Sequence, residues 1–274
     1  MQSTDSPHEA ELRSGERFGF GANWWRFLAD VSNERVEDAT NSLRQMLERE
    51  SLNGRRFLDA GSGSGLLSLA AYRLGASVFS FDFDPQSVAC TEELRRRYGC
   101  DASRWQIAEG SVLDDAFVAA LGKFDIVYSW GVLHHTGNLH AALANVMKAV
   151  AEGGTLFIAL YNDQGWRSRY WRAIKRQYNK RRFLRPALVL LHAPYLLGGR
   201  LMARALRGRA REARGMSLWY DMFDWLGGWP FEVSRPTEIV QFCEAHGFKV
   251  VRLAVVGKRP GCNEFVFRRT VAGF

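Results

Sequence analysis

Apolar and polar positions alternate in blocks along most of the chain. Short apolar runs predict strands, and stretches with apolar positions three and four residues apart predict helices. The predicted strands cover residues 56–60, 77–81, 105–108, 124–129, 155–161, 248–255 and 263–269. The predicted helices cover residues 33–50, 66–73, 85–98, 115–121, 139–151 and 236–246. Strands that alternate with helices indicate right-handed crossovers. The sequence therefore predicts an α/β protein with a doubly wound, mostly parallel seven-stranded sheet that ends in an antiparallel hairpin.

This alternation is interrupted twice, and the interruptions define the predicted domain organisation. Residues 1–17 are predicted to be a disordered tail, and residues 18–54 an N-terminal helical cap. Residues 55–161 form the ligand-binding core, and residues 234–274 complete it with a helix, capped by Ser234, and two strands. A large helical insertion, residues 162–233, follows the fifth strand. Loops at the carboxyl ends of parallel strands line the ligand crevice, so the insertion is expected beside the site.

Positive charge is concentrated in the insertion. The chain has 37 Lys and Arg residues against 29 Asp and Glu residues. Residues 166–214 hold 15 of the basic residues and one acidic residue, so the rest of the chain is net acidic. Within that segment, residues 167–185 contain nine basic residues and no acidic one, and they are called the basic stretch below. Such a segment is typical of proteins with an anionic partner, either a membrane surface or nucleic acid.

Composition narrows the classes of protein further. A hydrophobic fraction of 47% supports a packed core and excludes a disordered chain. The four cysteines show neither zinc-ligand spacing nor a disulfide framework, so no metal site is expected and a cytoplasmic location fits. The N-terminus lacks the apolar run of a signal peptide. The most apolar stretch, residues 187–197, is shorter than the roughly 20 residues of a membrane-spanning helix.

A glycine-rich turn follows the first predicted strand. The sequence FLDAGSGSG places Gly61, Ser62, Gly63 and Gly65 just before a predicted helix. Glycines at these positions let the backbone turn tightly and let a ligand approach closely. Leu66 stands where the dinucleotide fingerprint requires glycine or alanine, so the spacing departs from the pattern of NAD-binding proteins.

Three further segments lie where neighbouring strands end. Strand two ends in SFDFDP, where Asp82 stands 21 residues after the first loop glycine. An acid at that distance is suited to accept hydrogen bonds from the ribose hydroxyls of an adenosine. Asp84 precedes a proline and is predicted to cap the next helix. The segment EGSVLDD follows strand three and places Ser111 and Val112 beside an adenine, and FDIVYSWGVLHHTGN ends strand four.

In order and spacing, these segments resemble those of the class I, Rossmann-like S-adenosylmethionine-dependent methyltransferases. The resemblance covers residues 56–161 and the last helix and two strands. It implies S-adenosylmethionine as the cofactor and S-adenosylhomocysteine as the product, with the glycine loop against the methionine part and Asp82 on the ribose. The implied cofactor-binding residues are Asp59, Gly61, Ser62, Gly63, Gly65, Asp82, Phe83, Ser111, Val112 and Trp130. Within the family, the strand-four segment is similar to that of the ubiquinone-biosynthesis-type small-molecule methyltransferases.

Candidate catalytic residues follow strands four and five. Methyl transfer from a sulfonium is an in-line displacement, for which the protein supplies alignment, a dry site and, for a hydroxyl nucleophile, a base. His134 and His135 are suited to deprotonation near neutral pH, and His134 is favoured because on a helix it would share a face with Trp130. Asp163 is a further candidate, either as a base or as a residue that binds an ion. Ser129 stands where metal-dependent catechol methyltransferases need an acid, so a catalytic magnesium ion is not expected.

Aromatic residues gather in the two segments outside the core. The candidate substrate-binding residues are Trp24, Trp25, Tyr161, Trp219 and Tyr220. These side chains either line a pocket for a flat or lipophilic acceptor or form a hydrophobic cap that holds the insertion against the core. One surface can serve both roles.

Three interpretations of the basic stretch stay open at the level of sequence. It is the solvated face of a lid, an element that binds an anionic membrane, or a surface for RNA. A lid would turn inward the helically spaced side chains of Trp166, Tyr170, Ile174 and Tyr178. The expected function is methyl transfer to a hydroxyl of a small aromatic or lipid-like acceptor by a cytoplasmic enzyme with peripheral membrane contact. The alternatives are an RNA methyltransferase, an N- or S-methyltransferase of a soluble metabolite, and a non-catalytic binding protein.

Overall fold

Seven strands form a single sheet at the centre of the protein. The computed structural model describes residues 7–207, 218–257 and 261–271. The strands are β1 Arg56–Ala60, β2 Ser77–Asp82, β3 Trp105–Glu109, β4 Phe124–Trp130, β5 Val150–Tyr161, β6 Phe248–Ala254 and β7 Cys262–Arg269. Each predicted strand is confirmed, and β5 begins earlier than its apolar run because Val150 already pairs with Phe124, ahead of an irregularity in the register.

Helices occupy the connections between strands and both segments outside the core. They are α1 Pro7–Ser14, α2 Gly21–Ala29, α3 Asn33–Leu47, α4 Leu66–Arg73, α5 Pro85–Arg97, α6 Asp115–Ala120, α7 Leu139–Lys148, α8 Trp166–Lys180, α9 Arg185–Arg207, α10 Leu218–Gly227 and α11 Pro236–Ala245. Short 3₁₀ turns cover Leu133–His135 and Arg182–Leu184. Among the described residues, no helix has both the length and the hydrophobicity needed to cross a membrane.

The order of strands places the ligand crevice. The order is β3-β2-β1-β4-β5-β7-β6, with β7 antiparallel to both of its neighbours and the other pairs parallel. From β1 the chain moves outward to β2 and β3, and it then returns to the other side of β1 to form β4. The loops after β1 and β4 therefore diverge, and a crevice opens at the carboxyl ends of these strands. This topology confirms the predicted doubly wound fold.

Helices cover both faces of the sheet, as buried parallel strands require. The side chains of α3, α4 and α5 pack on one face, in a cluster centred on Phe57 and Trp105. Those of α6, α7 and α11 pack on the other face, in a cluster that includes Phe81 and Phe265. Two cores on a rigid sheet hold the strand ends, and so the residues of the site, in fixed positions.

The insertion has a hydrophobic core of its own. Its buried members are Trp171, Tyr178, Met222, Leu226 and Phe231. Of the side chains that were predicted to face inward from α8, Ile174 and Tyr178 do so, but the prediction for Trp166 and Tyr170 is wrong because both are exposed. The inward face is turned by one position, so that it carries Trp171 and the fully buried Lys175 instead.

The N-terminal segment is folded, so the prediction of a disordered tail over residues 1–17 is wrong from residue 7 onward. Residues 7–14 form α1, and the ring of His8 is buried 5.5 Å from the ring of Phe83. Arg17 donates a hydrogen bond to the carbonyl oxygen of His135 at 3.0 Å. Polar side chains make these contacts, so the sequence shows no periodic pattern of apolar residues from which the helix could be predicted. Residues 7–29 together with residues 222–231 are called the roof below.

One predicted helix cap is confirmed and one is wrong. The carboxylate of Asp84 accepts a hydrogen bond from the backbone N–H of Gln86 at the start of α5. Ser234 does not cap α11, whose N-cap residue is Arg235. The backbone of Ser234 is instead bonded to the end of β5, where its N–H donates to the carbonyl oxygen of Tyr161 at 3.0 Å. This bridge ties the end of the insertion to the sheet.

We expect Asp84→Ala to lower the free energy of unfolding by about 2 kcal/mol, more than the usual loss of one cap. The reason is that the carboxylate also accepts a buried hydrogen bond from the N–H of Gly21 at 2.8 Å. Urea unfolding of the protein measures the change. The matched control is Asp114→Ala, because Asp114 is exposed and caps only α6, through the N–H of Phe117. The control should cost about 1 kcal/mol, and equal losses for both variants would contradict the link between Asp84 and α2.

Candidate active site

A cleft of about 1430 Å³ lies at the carboxyl ends of β1, β2 and β4. Its floor is formed by the loops that follow these strands and β3. The roof covers it from above, with Phe20 and Trp24 contributed by the N-terminal segment and Trp225 by the insertion. Elements from both ends of the chain therefore enclose one space over the edge of the sheet.

The glycine loop after β1 gives the floor of the cleft a surface of bare backbone. Gly61 and Gly63 have φ of 86° and 55°, which is the left-handed region that favours glycine. A Cβ on Gly61 would lie 2.4 Å from the side chain of Val132, and one on Gly63 would lie 2.9 Å from the indole of Trp24. Glycine is therefore required at both positions. The N–H groups of Gly61 and Ser62 donate to the carbonyl oxygen of Phe81, which fixes the loop to the end of β2.

Asp82 lies at the end of β2 and holds the glycine loop from the side. One carboxylate oxygen accepts a hydrogen bond from the N–H of Gly63 at 2.9 Å, and the other accepts one from the N–H of Asp84 at 3.0 Å. Burial raises the pKa of Asp82 to about 6, against the effect of these bonds. Each carboxylate oxygen can accept a further hydrogen bond. Asp82 lines the cleft and is therefore able to bind a ligand with two neighbouring hydroxyls.

Asp59, at the end of β1, is buried beneath the loop at the bottom of the cleft. Its carboxylate accepts a hydrogen bond from the hydroxyl of Ser68 at 2.5 Å. Burial raises the pKa of Asp59 to about 7, and the negative charge of Asp82 adds to the increase. Two carboxyl groups with raised pKa values in one cleft are typical of a functional site, because folding alone gains nothing from burying them.

The loops after β2 and β3 form the side of the cleft where an adenine was predicted. Phe83, Ser111 and Val112 all line it. The amide of Asn145 donates to the carbonyl oxygen of Val112 at 3.0 Å, which fixes the position of this loop. The guanidinium of Arg17 lies 4.8 Å from the ring centroid of Phe83 and closes the cleft on this side.

Of the two candidate histidines, the structure brings His135 to the cleft and places His134 behind its wall. His134 is fully buried, and its Nδ1 accepts a hydrogen bond from the N–H of Tyr161 at 3.3 Å. The argument for His134 assumed an α-helix that includes Trp130. Gly131 instead has a φ of 77°, and the histidines follow it in the 3₁₀ turn. The face that His134 would share with Trp130 therefore does not form.

His135 is a neutral imidazole with a defined tautomer. Its Nδ1 lies 2.6 Å from the carbonyl oxygen of Pro230. A carbonyl can only accept, so Nδ1 donates and Nε2 is the acceptor nitrogen of the ring. Burial lowers the pKa of His135 to about 3, and the nearby charge of Lys175 lowers it further. The ring therefore stays uncharged at neutral pH.

The remaining candidates divide between the cleft and its surroundings. Trp24, Trp130 and Tyr161 line the cleft, and the indole N–H of Trp130 donates to the carboxylate of Glu264 at 2.8 Å. Asp163 lies outside it and accepts a hydrogen bond from the N–H of Gly165 in the turn before α8. Trp25 is 41% exposed and faces away from the cleft lining. The side chains of Trp219 and Tyr220 lie outside the described residues.

A buried charged cluster, which the sequence does not indicate, adjoins His135. The Nζ atom of Lys175 donates to the carbonyl oxygen of Trp225 and lies 4.5 Å from the ring centroid of that residue. Burial lowers the pKa of Lys175 to about 7, against the attraction of Asp224. Asp224 accepts a hydrogen bond from the amide of Asn23 and so joins the insertion to α2. Burial raises the pKa of Asp224 to about 6.

Five residues between positions 7 and 29 line the cleft without being among the predicted site residues, namely His8, Arg17, Phe18, Phe20 and Phe27. The signal that could have found Phe20 is the aromatic cluster of the cap, in which it stands beside the predicted Trp24. His8 and Arg17 lie in a polar segment that gives no signal. Among the residues that the structure describes, no group of three or more His, Cys, Asp or Glu side chains is placed to hold a metal ion.

Comparison with known proteins gives a family for the core. Residues 58–156 match the model of the family described as "Methyltransferase domain". Two curated relatives are named ubiquinone biosynthesis O-methyltransferase. That of Methylococcus capsulatus is 29% identical over 164 residues, and that of Xanthomonas campestris pv. campestris is 33% identical over 165 residues. The matches cover 58% and 59% of this chain and 65% of each relative, so they span less than two thirds of the relatives' length.

A solved structure has the same fold over nearly the whole chain. It is the magnesium protoporphyrin IX methyltransferase of Synechocystis PCC 6803 with bound S-adenosylmethionine, which is 12% identical to this chain with a TM-score of 0.58. The likeness covers 98% of this chain and 100% of that chain. At this identity it shows a shared fold and no more.

We expect stability to depend on pH through Asp59. Its ordinary pKa is 3.8, and the folded pKa is raised to about 7. The folded state therefore binds the proton more tightly than the unfolded state. Ionisation of Asp59 then lowers the free energy of unfolding as the pH rises between these two values. Asp59→Asn lacks this loss and should gain stability relative to the unaltered protein across that window, by up to roughly 1.4 kcal/mol for each pH unit.

Urea unfolding at a series of pH values measures this difference between Asp59→Asn and the unaltered protein. Asp115→Asn is the matched control, because Asp115 is an exposed carboxylate that pairs with Lys148 on the surface. Its stability difference should stay nearly constant across the same window. A constant difference for Asp59→Asn as well would show that Asp59 does not titrate as described.

Proposed function

Since this chain belongs to the class I, Rossmann-like S-adenosylmethionine-dependent methyltransferases, we propose that the whole protein transfers a methyl group from S-adenosylmethionine to a hydroxyl of a small aromatic or lipid-like acceptor. The observation that carries the proposal is the placement of Asp82 across from the glycine loop, in a cleft whose other end is aromatic and holds a neutral histidine. The first half is suited to the cofactor and the second to an acceptor.

The residues present fit the cofactor. Glycine at positions 61 and 63 lets the loop pack closely against Val132 and Trp24, and the backbone of this loop would contact the methionine part. The two oxygens of Asp82 would accept hydrogen bonds from the ribose hydroxyls. Ser111 and Val112 would flank the adenine. When bound, the sulfonium supplies an electrophilic methyl group.

The chain's own residues account for the acceptor end. Tyr161 and Trp225 contact each other edge to face with ring centroids 5.7 Å apart, and they give this end an apolar wall suited to a flat ring. Trp24 covers the glycine loop from the roof and excludes water from the space between. The neutral ring of His135 has one acceptor nitrogen, which would accept a hydrogen bond from a hydroxyl and so orient it for transfer. This supports oxygen as the atom that is methylated.

The relatives and the insertion support a small acceptor over RNA. The two relatives are named for O-methylation in ubiquinone biosynthesis. RNA would require the basic stretch to open onto the cleft. The member of that stretch beside His135 is Lys175, which is buried and faces Asp224. N- or S-methylation of a soluble metabolite remains the second candidate, and a cytoplasmic location remains a prediction.

The direct test is incubation of the protein with methyl-labelled S-adenosylmethionine and a panel of phenols with and without an alkyl chain. We expect label in a methyl ether, with higher kcat/KM for the alkylated phenols because the acceptor end is apolar. Label on nitrogen or sulfur of a metabolite pool would move the proposal to the second candidate. Tight binding of S-adenosylhomocysteine without transfer to any acceptor would indicate a binding protein.

We expect Asp82→Ala to weaken the binding of S-adenosylhomocysteine by at least about 100-fold, because two hydrogen bonds to a charged group are lost. Asp82 also supports the loop, so a second ligand separates the two roles. The 2′-deoxy analogue should bind the unaltered protein more weakly than S-adenosylhomocysteine does. Asp82→Ala should bind both ligands equally. Calorimetry measures all four affinities, and a variant that still discriminates between the ligands would remove Asp82 from the ribose.

We expect His135→Ala to lower the rate of methyl transfer to the best phenol of the panel by about 100-fold, because the acceptor hydroxyl is no longer held in line with the methyl group. Its affinity for S-adenosylhomocysteine should stay unchanged, since the side chain of His135 is not among the groups proposed to hold the cofactor. His140→Ala is the matched control, because His140 is half-exposed and pairs with Glu238 away from the cleft. Normal turnover by His135→Ala would exclude His135 from the reaction.

A further inference from the structure

After its first residue, Arg185, helix α9 carries no charged side chain for almost four turns. Residues 186–199 contain no Asp, Glu, Lys or Arg. One side packs on the core of the insertion through Leu188, Val189, Ala193, Leu196 and Leu197. A helix that is apolar all round is normally buried on every side. The opposite side of α9 therefore requires a covering that the described residues of the insertion do not provide.

That opposite side forms a continuous exposed surface, called the outer face below. Its large members are Leu190, Leu191 and Tyr195, which are 78%, 69% and 68% exposed, together with Phe183 just before the helix, which is 76% exposed. Leu191 and Tyr195 are four residues apart, and Phe183 and Leu190 are seven apart, so these side chains lie towards one side of the helix. Large apolar side chains in one exposed patch mark an interaction site rather than ordinary surface.

Basic residues border the outer face. Arg181 and Arg182 are exposed and immediately precede Phe183. On the neighbouring helix α8, the exposed ring of Trp166 lies 5.7 Å from the guanidinium of Arg167. No acidic residue occurs between positions 166 and 198. The two helices that carry the patch therefore contribute only basic residues to its border, although Lys180 pairs with Glu16 of the N-terminal segment.

Aromatic side chains extend the patch from α9 onto α8. The hydroxyl of Tyr170 lies 2.7 Å from Nε2 of His192, and the ring of Trp171 lies 6.1 Å from that of Tyr195. Tyr170 is exposed beside this contact, and Trp166, one turn earlier on α8, is exposed as well. Tyr and Trp are the residues that favour the boundary between water and hydrocarbon, because each has an apolar ring and a polar tip.

We propose that the outer face of α9 lies in the surface of an anionic lipid membrane, with Leu190, Leu191 and Phe183 in the acyl boundary and the flanking arginines on the lipid head groups. An amphipathic surface of leucine, aromatic and arginine side chains is the type that binds such an interface. The proposal does not rest on the proposed function, because it concerns only the surface of the insertion.

Charge distinguishes the membrane from the other occupants. In a symmetric dimer the same patch would face itself, and the bordering arginines of the two copies would repel each other. The phosphates of RNA would pair with the arginines, but RNA offers no partner for exposed leucines, which cannot stack on bases. An anionic bilayer supplies both hydrocarbon and negative charge.

The test is co-sedimentation of the whole protein with vesicles of phosphatidylcholine alone and with vesicles that also contain phosphatidylglycerol. We expect binding to the second kind and little to the first. Leu190→Gln with Leu191→Gln should lower the partition coefficient by at least about tenfold. Arg181→Gln with Arg182→Gln should lower it by about 25-fold at moderate salt, with a smaller effect at high salt.

Matched controls carry the same changes elsewhere on the surface. Val251 and Val255 are exposed valines on and just after β6, and Arg73 and Lys249 are exposed basic residues of the core. Val251→Gln with Val255→Gln, and Arg73→Gln with Lys249→Gln, should leave vesicle binding unchanged. All variants should keep the thermal unfolding midpoint and the S-adenosylhomocysteine affinity of the unaltered protein, because none of these residues lines the cleft.

Each other outcome overturns the proposal. Absence of binding to anionic vesicles would do so, as would binding that survives the leucine substitutions. A dimer that the leucine substitutions dissociate, without vesicle binding, would assign the outer face to a second copy. Salt-sensitive RNA binding that the leucine substitutions leave intact, again without vesicle binding, would assign the basic border to nucleic acid.

Discussion

The carboxylate of Asp84 joins the sheet to the roof, and the cleft depends on that connection. It accepts hydrogen bonds from the N–H groups of Gln86 and Gly21, and it lies 3.6 Å from the ring nitrogen of His8. Two residues earlier, Asp82 holds the glycine loop through Gly63. One short segment after β2 therefore positions the loop, the ligand-binding acid and the first two helices. Displacement of this segment would alter the floor and the roof together.

The strands and helices of the core could be predicted from the sequence because each has a clear periodic pattern of apolar residues. Strands and helices of the sheet were predicted within a few residues, and so was the cap formed by Asp84, since its chemistry is local. The roof was not predictable in the same way. His8 and Arg17 make polar contacts, which produce no periodic pattern of apolar residues in the sequence. His134 was preferred over His135 because the left-handed conformation of Gly131 cannot be recognised from a pattern of side chains. Lys175 stands among eight other basic residues, and only its tertiary contacts with Trp225 and Asp224 distinguish it.

The insertion uses its two sides for different purposes. Its inner side contributes Trp225 to the wall of the cleft and places Lys175 beside His135. Its outer side is apolar and bordered by arginines. Both sides pack on one small core, which includes Trp171. Because few side chains separate the two sides, a displacement of the outer side would reach the wall of the cleft. The position of the insertion after β5 makes this arrangement possible, because that strand ends at the crevice.

The connection between Asn23 and Asp224 has a consequence for the order of folding. The two residues are 201 positions apart in the chain, and contacts of such separation form late because a long loop must close first. During synthesis, β1 to β5 emerge well before α10, and β7 must still enter the sheet between β5 and β6. The nascent chain therefore carries the glycine loop and Asp82 in a cleft that is still open for much of its synthesis. Enclosure of the cleft, and with it the capacity to retain a ligand, comes only as a last step of maturation.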